Sequence, residues 1–341
     1  VETRVLGGSG VRVSTLCLGA MSFGSMGNAD AEDCARIVHR ALDAGITMID
    51  TADVYSAGES ERIVGEAIKG RRDDVVLATK LYNPMGRDPN HRGSSRRWIV
   101  RACEDSLRRL GTDHIDLYQL HRPDPDTDLD ETLGALSDLV RQGKVLMTGT
   151  STFPAEKLVE AQWCAERRGH VRPRCEQPPY SVFVRGIERD VLPTCERYGI
   201  GAIVWSPLNG GWLTGKYSHE VPEGSRFSRL GRGSWRADSP AAERKRALLP
   251  ELEAIAADAG TDLIGLALAF TLAHPAVTST IIGPRTMEQL ESQLPAAEVL
   301  LDAAVLDRID ALVPPGTTLA RADIAYEPRA IRHAAARRRT S

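Results

Sequence analysis

The chain has 341 residues, 42% apolar and 26% charged, with a formal net charge of −3. That apolar content supports a large buried core and excludes global disorder, and the balanced charge gives no case for nucleic-acid or membrane binding. The six cysteines form no CxxC pair, and neither a secretory leader pattern nor an apolar run of about 18 residues occurs, so a reducing, cytoplasmic setting is expected.

From Thr3 to Val13, two short alternating runs flank Gly7-Gly8-Ser9-Gly10 and predict a β-hairpin. The turn matches neither GxGxxG nor a Walker A loop, and no helix follows it, so a phosphate loop is rejected. Apolar segments near 15–20, 46–50, 75–80, 114–120, 145–150, 173–177, 201–206 and 278–283 then predict buried strands. Between them, amphipathic spacing predicts helices near 30–44, 60–69, 95–110, 127–142, 154–168, 187–198 and 241–273, with another near 286–297. Asp30 with Asp33 opens the first helix and Gly45 closes it; Ser60 is read as capping the second, with Gly70 as its stop. Strand–helix alternation without a composition break predicts a closed (β/α)8 TIM barrel over residues 1–326. An open doubly wound sheet is the runner-up, and its nucleotide fingerprint is absent. The basic stretch 327–341, with Arg332, His333 and Arg337 to Arg339, reads as a solvated, flexible tail. Long loops are expected at 83–96 and at 216–240, the second carrying Arg226, Arg229, Arg232 and Arg236.

Polar residues gather at the ends of the early strands. Met48-Ile49-Asp50-Thr51-Ala52-Asp53-Val54-Tyr55 is a strand end breaking into a polar turn, which delivers Asp50 and Tyr55. The plain reading is a turn cap with a ring packed over it. The next strand closes on Lys80 and the one after on His121. A lysine ending an apolar strand needs a carboxylate, and Asp50 on the adjacent strand is the natural partner. An ammonium beside a phenol favours its ionised form, which suits a tyrosine proton donor, and a histidine can orient a carbonyl oxygen. Metal ligation is not expected: His114 and His121 lie about 23 Å apart along a strand, and no HExxH spacing occurs. A glycosidase pair of carboxylates is disfavoured because Asp50 already has a cationic partner.

With IDTADVY, LATKLY and YQLHRPD in view, the chain resembles the aldo-keto reductases from Leu16 to Gln289. The resemblance implies a TIM barrel whose amino-terminal end is plugged by the hairpin, with a catalytic tetrad of Asp50, Tyr55, Lys80 and His121. It also implies NADP(H) bound without a Rossmann domain. Trp205 would stack on the nicotinamide, and Ser151 and Gln177 would hydrogen-bond its carboxamide, beside Ala20 and Met21. Ser206, Pro207, Leu208, Asn209, Gly210 and Lys216, in VWSPLNGGWLTGKY, would line the pyrophosphate, with Arg226 closing over it. Gly283, Arg285, Gln289 and Gln293 match the adenosine-phosphate site, where a helix start and an Arg suit a 2′-phosphate. Two positions depart from the usual pattern: Thr152 follows Ser151 where Asn is common, and Gln293 replaces Asn.

The implied activity is NADPH-dependent reduction of an aldehyde or ketone. The alternative is an NADPH-binding partner module, since potassium-channel β subunits also resemble the chain. In those proteins the position of His121 is Asn. The chain resembles actinobacterial reductases more closely, and 37 Arg against 6 Lys suit a GC-rich bacterial genome. Loops near 21–29, 83–96 and 218–240, with Met21, Phe23, Tyr82, Trp212, Phe227 and Trp235, would decide the small-molecule substrate. Oligomeric state is not legible.

Overall fold

Side chains on a strand alternate between two faces, and here both faces are used. The computed structural model describes residues 1–218, 220–223, 225, 228 and 239–338. Its barrel strands are β3 (Leu16–Gly19), β4 (Met48–Asp50), β5 (Val76–Leu81), β6 (Ile115–Leu120), β7 (Val145–Ser151), β8 (Cys175–Gln177), β9 (Gly201–Val204) and β10 (Val277–Ile282). They close in the order β10-β3-β4-β5-β6-β7-β8-β9, parallel throughout. Inward residues Cys17, Met48, Ala78, Leu117, Met147, Cys175, Ile203 and Ile281 fill the barrel. Their outward neighbours, among them Leu18, Ile49, Leu77 and Tyr118, pack against the surrounding helices.

The hairpin pairs β1 (Thr3–Val5) with β2 (Arg12–Ser14), and its Leu6 and Val13 join the barrel interior. It covers the end where the strands begin, with Gly8 N–H donating to Gly199 O at 2.8 Å. Gly7 has φ +51°, and a Cβ there would lie 2.5 Å from Gly201 N, so only glycine permits this approach.

The helices are α1 (Ala31–Asp43), α2 (Glu59–Ala67), α3 (Arg96–Leu110), α4 (Leu129–Arg141), α5 (Ala155–Arg168), α6 (Val191–Tyr198), α7 (Pro240–Asp258), α8 (Leu263–Ala273), α9 (Met287–Gln293), α10 (Ala303–Leu312) and α11 (Arg329–Arg332). The expected helix over 241–273 is two, α7 and α8, bent by 82°. Gly260 at φ +70° ends the first, and Asp262 caps the second by accepting from Gly265 N–H. Ser60 does not cap α2: Gly58, at φ 90°, holds that position. Ser60 is instead buried inside the helix, its hydroxyl donating to Ala20 O at 2.7 Å. The α10 helix was not expected, and α6 begins four residues later than the apolar spacing predicts, after a 3-10 turn at Gly186–Glu188. In the tail, α11 is a short helix, and residues 331–338 are exposed. Arg226, Phe227, Arg229, Arg232, Trp235 and Arg236 lie outside the described residues. Among the described residues no single helix is long and apolar enough to cross a membrane.

Outward positions also carry buried carboxyl groups. Glu61 is fully buried on α2, accepting from Thr79 Oγ1 at 2.6 Å and from Arg109 Nε at 2.5 Å. Glu176 is buried on β8, where Thr150 Oγ1 donates at 2.5 Å and Phe153 N–H at 3.1 Å. Burial pushes the Glu176 carboxyl up from 4.5 to about 8, and its hydrogen bonds only partly counter that. Between these two values the folded chain keeps a proton that the unfolded chain has lost. Stability therefore falls as pH rises through that window, by up to ~1.4 kcal/mol per pH unit. Glu176→Gln, neutral throughout, is expected to remove ~2–5 kcal/mol of the stability lost from about pH 5 to above pH 8, compared by urea unfolding. Equal pH dependence of the two proteins would show that Glu176 is ionised in the fold.

Candidate active site at the carboxyl ends of the strands

The period of two that buries Met48, Ala78 and Leu117 continues one step further along each strand. It points Asp50, Lys80 and Gln119 into the open end of the barrel. Lys80 is completely buried and its ammonium has three acceptors: Asp50 Oδ2 at 2.7 Å, Thr51 O at 2.8 Å and Tyr55 Oη at 3.3 Å. Burial is the largest single influence and works against the charge, but Asp50 and Tyr55 together outweigh it and hold the Lys80 pKa above its ordinary value. Tyr55 arrives from the turn after β4, where Ser56 and Ala57 take φ 48° and 53°, a strained backbone that swings the ring over Lys80.

His121 follows β6 and stands edge-on to Tyr55, ring centroids 5.7 Å apart. Burial first, then the charges of Lys80 and Arg122, push its pKa well below the ordinary histidine value, so the ring is neutral at physiological pH. Asn83 Nδ2 lies 3.1 Å from its Nδ1. The geometry thus brings together the four residues singled out from sequence.

Two neighbours went unread. Gln119 donates to Asp50 Oδ1 at 3.3 Å, and Asn83 reaches His121 from the loop after β5. Gln119 was recoverable, since it shares the inward register of Leu117. Asn83 opens the proline- and glycine-rich loop expected at 83–96, whose path, and so its reach to His121, the sequence did not show. Asp53 faces the other way: its carboxyl is buried without a hydrogen-bond partner among the described residues, at a cavity of about 220 Å³ shared with His91, Trp98 and Arg109. Burial, then the charge of Glu61, pushes its pKa well up.

The remaining expected residues, apart from Arg226, which lies outside the described residues, line the same end. Ala20 N–H donates to Asp50 O at 2.8 Å, and Met21 follows it, partly exposed. Ser151 Oγ donates to Gln177 O at 2.8 Å, while the Gln177 amide donates to Asp50 Oδ1 at 2.9 Å. Trp205 Nε1 donates to Gln177 O at 3.1 Å, which fixes the indole plane. Beyond it Ser206, Asn209, Gly210 and Gly211 all have positive φ, and Leu208 followed by Asn209 is a right-then-left pair, a geometry that turns backbone N–H groups toward an anion, although those of Asn209 and Gly211 donate within the loop to Ser206 O at 2.8 Å and Leu208 O at 2.9 Å. The end of the Lys216 side chain crosses Gly211, 2.8 Å from where a Cβ would stand. Pro207 is buried and Leu208 half-buried. The Asn209 side chain is committed elsewhere, accepting from Lys245 Nζ at 2.6 Å and donating to Asp323 at 3.1 Å.

At the start of α9, space beside Gly283 is open, Arg285 N–H donates to Gln289 Oε1 at 2.8 Å, and Gln293 Nε2 donates to Gln289 O at 2.7 Å. Gln293 Oε1 is a buried acceptor with no partner among the described residues. An N–H cradle, a lysine over it and an orphaned amide acceptor fit a dinucleotide with an amine-bearing base. Among the described residues, no group of three or more His, Cys, Asp or Glu is placed to hold a metal ion.

Comparison with known proteins covers nearly the same span. The model of the "Aldo/keto reductase family" matches residues 15–314. "Uncharacterized oxidoreductase YrpG" of Bacillus subtilis (strain 168) is 42% identical over 326 residues, covering 92% of this chain and 96% of that one. "Putative voltage-gated potassium channel subunit beta" of Schizosaccharomyces pombe is 36% identical over 322 residues, with 92% and 93% covered. "Probable voltage-gated potassium channel subunit beta" of Arabidopsis thaliana is 36% identical over 321 residues, with 92% and 97% covered. A closed parallel barrel with its hairpin, together with these matches along the chain, means that it belongs to the aldo/keto reductase family, whose members generally bind NADP(H).

Proposed function

We propose that the chain is an NADPH-dependent reductase that converts an aldehyde or ketone to an alcohol, with Tyr55 as proton donor. The observation that carries this is the Tyr55 hydroxyl 3.3 Å from a fully buried ammonium that Asp50 keeps charged. Negative charge growing on Tyr55 Oη as its proton leaves is stabilised by Lys80, in a site where burial strengthens that attraction. Neutral His121 offers a hydrogen bond to the carbonyl oxygen without competing as an acid. When bound, the reduced nicotinamide supplies the hydride to the carbonyl carbon.

Trp205, Ser151 and Gln177, with Ala20 and Met21 beside them, hold the nicotinamide end. Ser206 to Gly210, Lys216 and Arg226 hold the pyrophosphate. Gly283, Arg285, Gln289 and Gln293 hold the adenosine phosphate, and Arg285 favours NADPH over NADH. The substrate is a small carbonyl compound and the setting is cytoplasmic. Consumption of NADPH with aldehydes, ketones and keto-sugars, run beside NADH, is expected to show turnover and a preference for NADPH. Equal use of both cofactors would remove the role given to Arg285.

The relatives with channel-subunit names support a second reading, an NADPH-binding partner module. His121 favours turnover over that reading, and cofactor binding with no oxidation across the panel would reverse the order.

A further inference from the structure

We propose that Asn83 is a positioning residue that sets the tautomer of His121, so that the ring presents Nε2–H to a substrate oxygen. The use of that hydrogen rests on the carbonyl-reductase reading; the tautomer itself does not.

The amide nitrogen of Asn83, not its oxygen, lies 3.1 Å from His121 Nδ1. An amide NH₂ only donates, so Nδ1 accepts, and a neutral imidazole then carries its hydrogen on Nε2. Nε2 has no protein partner among the described residues, which leaves it for a ligand. A protonated ring would set Nδ1–H against the Asn83 donor, so the same contact also disfavours the imidazolium.

The charged groups around the ring push the same way. Lys80 from β5 and the adjacent Arg122, whose guanidinium donates to His121 O at 2.5 Å, both oppose a positive ring. The carboxylate of the tetrad, Asp50, is engaged by Lys80, Gln119 and Gln177. Tyr55 meets the ring edge-on.

Asn83 is itself held in place. It follows Tyr82, a non-glycine residue at φ 136°, whose carbonyl accepts from Gly93 N–H at 2.8 Å. Met85 N–H donates to His91 O at 2.9 Å, so the loop folds back on itself and keeps the strained bend. Strain of that kind persists where the surroundings over-determine it, and here it aims one amide at one ring nitrogen.

Long-range 1H–15N correlation spectra of histidine-labelled protein, without cofactor or substrate, test this directly. The wild type is expected to show His121 as the Nε2–H tautomer, neutral across the physiological pH range. Asn83→Asp replaces the donor with an acceptor and is expected to give Nδ1–H or an imidazolium titrating within that range. Asn83→Leu is expected to give mixed tautomers. Both variants should lose about tenfold or more in kcat/KM, the worth of one well-placed hydrogen bond, with NADPH affinity unchanged. An Nδ1–H wild type, or an Asn83→Asp protein that keeps Nε2–H, overturns the assignment. If the wild type reduces no carbonyl, the functional reading falls and the spectra still decide the role of Asn83.

Discussion

Tyr55→Phe is expected to lower kcat for carbonyl reduction by about 10²- to 10⁴-fold while NADPH binds as before. The substitution removes one oxygen from a half-buried ring and leaves the ring's edge contact with His121 in place. Lys80 loses only its longest hydrogen bond, at 3.3 Å, and keeps Asp50 and Thr51 at 2.7 and 2.8 Å. Stability should therefore change by no more than ~1 kcal/mol in urea unfolding. A full-rate Tyr55→Phe protein would mean that the proton comes from elsewhere. A drop in kcat accompanied by an equal loss of NADPH affinity would mean that the ring mainly holds the cofactor.

The second large effect separates what the buried ion pair does for the fold from what it does for chemistry. Lys80 and Asp50 side chains are 0% and 5% exposed, so removing either partner strands the other charge in the barrel. Asp50→Leu or Lys80→Met alone is expected to cost ~3–5 kcal/mol. The double variant replaces both charges with apolar groups and should recover much of that loss, because desolvation of the pair is no longer required. Reductase activity should stay absent in all three. Gln119 and Gln177, which donate to Asp50, set the limit on recovery, because their amides need new acceptors. A double variant no more stable than the singles would show that these two amides, not the charges, dominate the energetics.

Much of the site was legible because a strand has a period of two. Met48 and Asp50, Ala78 and Lys80, Leu117 and His121 share faces by spacing alone, so polar residues at strand ends had to converge where the barrel opens. Helix boundaries depended on residues that can be read two ways. Ser60 looked like a cap, but the strained turn at Ser56 and Ala57 let α2 start earlier and drew that hydroxyl inward to Ala20. The break between α7 and α8 carried its signal, Gly260 and Asp262, beneath a continuous apolar pattern. Asp50 and Lys80 were legible as a pair because adjacent strands end together, whereas distant contacts made off the barrel strands were not. Glu61, in the first turn of α2, pairs with Arg109, 48 positions away. The place of the Asn209 side chain in a buried Lys245–Asp323 pair, 4% and 3% exposed, likewise left no mark on the sequence. Asn83 depends on a loop path that its neighbours set.

The central claim is that this tetrad transfers hydrogen to a carbonyl and does not merely hold a nucleotide. NADPH deuterated at both C4 positions, incubated with the wild-type chain and a panel of aldehydes and ketones, tests it most directly. The account predicts deuterium on the carbinol carbon of at least one product, in step with cofactor oxidation. Saturating cofactor binding with no deuterium in any product would contradict it and leave the partner-module reading in its place.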